Sequence, residues 1–327
     1  MNYQIQLLRV IATLAVVLFH ALGYYTYGWP FVGMKIPIYW DFDRVINQIN
    51  MPLFVTISAY LYATLEQKGK YSDRRAFVLN KIQRILIPYL FWSVFQIMIF
   101  PSTTNMGMIL RGCLHLWFLL MLFMFFLLSA YTKQIWKNNG GLLFTLYCVS
   151  VALKIAPPTI TNYFNFLAIN SVLSFLVYWI MGIWLSRRKI NLSLLSTITL
   201  FVIGISLLIT FTCWVIYPNC VSSLFRMIGS ILVICSLFSG SLYKISRQIT
   251  SCKMVQLINK NSYGIYILHH IIIWWIVQIG TVKIILDEHY VIMPILLFVT
   301  VTIISVTISE YIRKSLCIKW MLGERYQ

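Results

Sequence analysis

The chain has 327 residues, of which 60% are apolar and 10% charged, with a mean hydropathy of +0.81 and a net charge of +18. That composition excludes an ordinary soluble domain and reads as an all-α, polytopic integral membrane protein. No polar stretch is long enough to fold alone, so residues 1–327 read as one membrane domain. No cleaved signal peptide is expected at the N-terminus, because the first apolar run is too long for an h-region and no small-residue cleavage site follows it. The seven cysteines are scattered, without a C-x-x-C pair, and most sit in apolar segments, where they read as small buried apolar residues.

A bilayer crossing takes about 20 apolar residues. Ten segments meet that expectation: 5–27, 45–65, 85–101, 113–131, 141–156, 164–185, 192–217, 221–243, 262–280 and 291–312. If the N-terminus is cytoplasmic, Lys35, Arg44, Arg111, Lys154, Arg226 and Lys283 fall outside and the other twenty lysines and arginines inside. This is the positive-inside pattern with both termini in the cytoplasm. The positive charge is therefore a topology signal, and nucleic acid is not an expected partner.

The first segment carries Arg9 and His20. Eleven residues at 100° each leave them only about 20° apart around a helix and ~16 Å apart along it. Ionisable groups at membrane depth are rare and usually functional. Read alone, Arg9 is either a snorkelling anchor or a group aimed into the bundle. His20 is a satisfied core residue, a metal ligand or a general base.

The second segment begins with Asp41, Asp43, Arg44, Asn47, Gln48 and Asn50, a solvated loop or the vestibule of a hydrophilic substrate. It continues through Met51-Pro52-Leu53-Phe54 to Ser58-Ala59-Tyr60-Leu61. Before it, Tyr24, Tyr25, Tyr27, Trp29, Phe31, Tyr39 and Trp40 form either an interfacial aromatic belt or a sugar-stacking surface. The third segment is entered through Lys81 and Arg84-Ile-Leu-Ile-Pro88-Tyr89, behind Lys68, Lys70, Arg74 and Arg75. Such a cluster sets topology and touches anionic lipid, and it is also what would hold a phosphorylated cofactor.

The fourth segment opens with His115-Leu116-Trp117-Phe118-Leu119. In the ninth, Ser262, Tyr266 and His269 or His270 recur at helical spacing, so hydroxyls and an imidazole share a face. There is no H-x-x-x-H, and no metal site is expected.

In this order these residues resemble the membrane-bound acyltransferase-3 family. The resemblance rests on Arg9 with His20, the Met51–Phe54 and Ser58–Leu61 runs, Arg84 to Tyr89, the His115 motif, Ser262 to His269, and a basic tail. It covers residues 9 to about 320. Ala59 stands where the family commonly has glycine. Leu122 stands where some branches carry a glutamate, which places the chain nearer branches that modify exopolysaccharide or lipid-linked sugars.

The resemblance implies a multi-pass enzyme of the bacterial inner membrane. It would move an acyl group, usually acetyl, from cytoplasmic acyl-CoA to a hydroxyl of a surface or lipid-linked glycan, alongside polysaccharide synthesis machinery. It implies His20 as general base or nucleophile, and His115, Tyr266 and His269 as groups that orient His20 or the acceptor or stabilise an oxyanion. Arg9, Arg84 and Lys81 would bind the coenzyme A phosphates. The other reading of the residues is a transporter or flippase for a glycan or acylated intermediate, against which the absence of an internal repeat counts.

Overall fold

In hydrocarbon every backbone N–H and C=O must find its partner within its own segment, which for a chain of this composition means helices. The computed structural model describes residues 3–26, 34–101, 104–132, 140–155, 166–188, 190–214 and 220–324. Tyr27, Trp29 and Phe31 of the aromatic loop lie outside the described residues, as do Lys133, Lys137, Lys189 and Arg325 of the charge pattern.

The helices run in chain order as α1 (Tyr3–Gly23), α2 (Pro37–Gln67), α3 (Arg74–Lys81), α4 (Ile87–Ile99), α5 (Trp117–Tyr131), α6 (Gly140–Ile155) and α7 (Ile169–Arg187). There follow α8 (Leu194–Ile209), α9 (Cys220–Leu237), α10 (Tyr243–Thr250), α11 (Lys253–Gln278), α12 (Gly280–Glu288) and α13 (Met293–Lys314). A wide π turn over Ile82–Leu86 joins α3 to α4 without a break. No strand occurs among the described residues. The protein is all-α and polytopic.

Each of the ten expected segments contains a helix. Among the described residues seven helical stretches are long and apolar enough to cross a membrane, or eight if α11 and α12, bent by 93° at their junction, count as one. Two expected segments fall short of that standard for different reasons. The apolar stretch of α2 is diluted by Asn47, Gln48, Asn50, Pro52, Tyr60 and Tyr62, and α6 has only 16 residues.

Contacts gather into two compact units. The first is Met1–Leu53, Asn191–Ile216 and Ile228–Lys314; the second is Phe54–Ile190, Tyr217–Met227 and Ser315–Gln327.

In the first unit α1 packs against α11 and α13 through a buried row that includes Ile5, Ala12, Val16 and His20. Its start is fixed by Gln4, whose amide donates to the Leu237 and Ser239 carbonyls at 2.9 and 2.8 Å. Just past its end, the Tyr25 hydroxyl donates to the Leu286 carbonyl at 2.9 Å. Glu310 on α13 accepts from Lys260 at 2.8 Å and from Asn261 at 2.7 Å, fastening α13 to α11.

The second unit is built on aromatic packing. Phe125 and Trp179 stack with centroids 4.7 Å apart, and the Trp179 indole donates to Ser129 Oγ at 3.1 Å. The Tyr62 hydroxyl donates to the Ser129 carbonyl at 3.0 Å. Gly182 marks a close helix contact: a Cβ there would collide with the Thr56 carbonyl and lie 2.6 Å from Ala59 Cβ. Small residues allow such approaches where lipid removes the ordinary hydrophobic drive between helices. The bare Cα of Gly182 is what leaves room for the Ala59 methyl.

Over-packing of this kind costs about 1–3 kcal/mol. Gly182→Ala is expected to lower the apparent melting temperature of the detergent-solubilised protein. Adding Ala59→Gly should recover part of the loss, because the clash with the Thr56 carbonyl remains.

Candidate active site

On α1, His20 is buried, and its Nδ1 lies 2.9 Å from the Val16 carbonyl one turn back. A carbonyl only accepts, so Nδ1 carries the ring proton and the lone pair of the neutral imidazole sits on Nε2. His269 on α11 is fully buried and repeats the arrangement, with Nδ1 2.9 Å from the Ile265 carbonyl. Its own lone pair is therefore on Nε2, which lies 3.1 Å from His20 Nδ1. The single Nδ1 proton of His20 is shared between the Val16 carbonyl and His269 Nε2. The two backbone contacts thus set both tautomers, and the result is a histidine dyad with a basic nitrogen on His20.

The rings of His20 and His269 have centroids 4.8 Å apart at 62°. His270 brings a third ring within 5.5 Å of His20. Tyr266, one turn before, is buried with its ring 5.9 Å from that of His269. Of the two adjacent histidines that the sequence offered, His269 is the one that meets His20 Nδ1.

Arg9 lies on the same helix in the row Ile5–Arg9–Ala12–Val16–His20. It is partly buried, and no carboxylate pairs with it among the described residues. The helix is unbroken between Arg9 and His20, so the ~16 Å separation along its axis stands. A guanidinium in that position without a counter-charge suits a phosphate or carboxylate ligand.

His115, Lys81 and Arg84 belong to the second unit. His115 is buried, and Gln96 Nε2 lies 3.2 Å from its Nδ1. An amide nitrogen only donates, so Nδ1 accepts and the His115 proton is on Nε2, the opposite tautomer to His20. The turn that presents His115 is constrained on both sides. Gly112 has φ +106°, and a Cβ on it would lie 2.6 Å from Trp117 Cβ; Leu114 has φ +42°, a conformation rare for a residue with a side chain.

Arg84 sits on the π turn, exposed, with Nε donating to the Gly323 carbonyl at 3.3 Å. A turn over Lys319–Leu322 brings Gly323 there at φ +67°, and a Cβ on it would collide with the Arg84 carbonyl. The Trp92 indole holds the same turn by donating to the Met321 carbonyl at 2.9 Å. Lys81 points into a ring of aromatics. Its Nζ is 3.6 Å from the centroid of Phe126, 5.3 Å from Phe77 and 5.9 Å from Tyr71.

The family model of the acyltransferase domain, acyltransferase-3, matches residues 2–313. The chain belongs to the acyltransferase-3 family. No curated protein and no solved structure matches it. As an acyltransferase-3 protein it is a multi-pass membrane acyltransferase, and its family implies an acyl donor. No group of three His, Cys, Asp or Glu side chains among the described residues is placed to hold a metal ion. The matched residues include all seven candidate positions and end before the Lys319–Gly323 turn.

Two partners in this acyltransferase-3 chain escaped the reading of the sequence. Gln96 was one lone amide in an otherwise apolar run, and that isolation was the available signal. Gly323 offered none, since its role is to lend a backbone carbonyl to a residue 239 positions away.

The tautomers are directly measurable. In ¹⁵N-histidine spectra of the detergent-solubilised protein, His20 and His269 are expected to show a protonated Nδ1 and His115 a protonated Nε2, with assignments from single His→Gln variants. A protonated Nε2 on neutral His20 would remove the dyad.

Proposed function

We propose that this membrane acyltransferase carries an acyl group, acetyl in the simplest case, from cytoplasmic acyl-CoA to a hydroxyl of a cell-surface or lipid-linked glycan. The observation that carries the reading is the dyad. His20 holds a lone pair on Nε2 while its Nδ1 proton is fixed by an acceptor-only carbonyl and a second imidazole. That is the state a general base needs.

In the proposed step His20 Nε2 takes the proton of the acceptor hydroxyl, and the acceptor oxygen forms a bond to the thioester carbonyl carbon. The resulting tetrahedral intermediate collapses by breaking the carbon–sulfur bond. The leaving thiolate takes the proton from the His20 imidazolium, so the ester and free coenzyme A are the products. His269 Nε2 accepts from His20 Nδ1–H throughout and stabilises the imidazolium. If His20 instead accepts the acyl group itself, the same Nε2 is the nucleophile.

His115, protonated on Nε2, has the form required of a donor to an oxyanion. Tyr266 is assigned to positioning next to His269. Arg9 and Arg84 are assigned to donor phosphates, with Lys81 contributing charge from within its aromatic ring set. The lysine and arginine asymmetry supports a cytoplasmic N-terminus, which puts Arg9 on the side where acyl-CoA is available. Together with the family it supports a bacterial inner membrane location, with anionic lipid around the basic face and polysaccharide synthesis machinery as the source of the acceptor.

The test is transfer from labelled acetyl-CoA to a glycan acceptor pool by the purified protein in detergent. His20→Ala should lower turnover by about 10²-fold or more; unchanged transfer would end its catalytic role. A hydrogen bond to a charged group is worth about 1.5–3 kcal/mol. His269→Phe should therefore reduce kcat by roughly ten- to a hundredfold with donor KM nearly unchanged. Arg9→Ala should show the reverse split, raising donor KM with little change in kcat.

A further inference from the structure

The second unit contains a cavity of about 440 Å³ that none of the roles above uses. Its inner wall includes Tyr62, Tyr71 and Phe77, and its rim includes Arg74, Arg75 and Tyr131. That volume lies within the range of small-molecule sites, and apolar walls with a few convergent polar groups are their usual lining.

The chemistry of the lining narrows the ligand. The rings supply flat apolar surface on which a heteroaromatic base can stack. The arginines supply forks that match phosphate oxygens. The Arg74 guanidinium lies 5.1 Å over the Tyr131 ring, a cation–π contact at the rim. Neither Arg74 nor Arg75 has an ion pair among the described residues, and the neighbouring Asp73 carboxylate is occupied in capping α3 through Ala76 N at 3.1 Å. Behind the same rings stands Lys81, its Nζ 5.9 Å from the Tyr71 centroid and 5.3 Å from that of Phe77.

We infer that this cavity binds the nucleotide end of the donor: a purine ribonucleotide whose base stacks against the ring-lined wall and whose phosphate meets Arg74 and Arg75. The inference rests on the proposed acyl-CoA donor. It adds a place for the base and ribose phosphate that is separate from Arg84. Arg74 and Arg84 lie on one continuous helical run ten residues apart, about 15 Å along its axis. A ligand seated in the cavity therefore leaves Arg84 to a different part of the same molecule. A lipid headgroup could use the arginines but would leave the ring-lined interior without a function, so the nucleotide is the better fit.

The experiment uses the full chain in detergent and isothermal titration with adenosine 3′,5′-bisphosphate, a probe that cannot react. Glycerol 1-phosphate serves as the headgroup control. Binding of the bisphosphate should weaken at least about tenfold in Arg74→Gln/Arg75→Gln and in Tyr131→Ala, with melting temperatures unchanged. Arg74→Lys/Arg75→Lys should restore only part of the affinity, because lysine keeps the charge without the fork.

Affinity within twofold of wild type in both disrupted variants overturns the site. So does arginine-dependent binding of glycerol 1-phosphate equal to or tighter than that of the bisphosphate. The two readings fail separately. Arginine-dependent bisphosphate binding without acyl transfer keeps the site and defeats the proposed reaction. Acyl transfer with unchanged donor KM and unchanged bisphosphate binding in the variants does the opposite.

Discussion

The constraint on which the rest depends is the scarcity of polar partners inside an apolar chain. A side chain that cannot reach water bonds to the carbonyl one turn back on its own helix. Thr13 does this to Arg9, Asn261 to Leu257, Thr302 to Phe298 and Ser309 to Ser305. His20 and His269 obey the same rule, and for them it has a chemical consequence. A hydroxyl gains only a partner from its own backbone, whereas an imidazole also has its tautomer chosen. His115 sits in the turn just before its helix and takes its instruction from the Gln96 amide instead. Three histidines thus reach two protonation patterns through backbone carbonyls, a side-chain amide and one another.

Charge is handled in an equally sparing way. Glu310 is consumed in joining α13 to α11, and Asp41 pairs with Arg44 at 2.6 Å. Arg9, Arg74 and Arg75 have no such partner among the described residues. Exposed pairs contribute little to stability, whereas uncompensated arginines keep their attraction for an anionic ligand. With eight acidic residues against 26 basic ones, the chain has few carboxylates with which to neutralise them.

Much of this was legible in the sequence wherever the information was local. The Arg9–His20 spacing needed only the period of a helix, and α1 delivers it unbroken. The same period placed Tyr266 and a histidine on one face of α11. It could not choose between His269 and His270, because neighbours 100° apart both flank such a face and the rotation of α11 against α1 decides. The number of crossings was blurred by α2, whose polar first half and apolar second half form one 31-residue helix. Long-range partnerships were hidden for a plainer reason. Nothing in the residues near Arg84 or His115 encodes that Gly323 or Gln96 will arrive beside them, and nothing near Lys81 foretells that its ammonium will lie over Phe126.

The turn that carries Gly323 bears on where this fold ends. The family's shared region closes at residue 313, but the backbone that steadies Arg84 comes six to ten residues later. A protein trimmed to the shared region would keep every candidate histidine and both candidate arginines, and would lose the carbonyl against which one of those arginines rests. The unit of inheritance and the unit of mechanical support are therefore different lengths of the same chain.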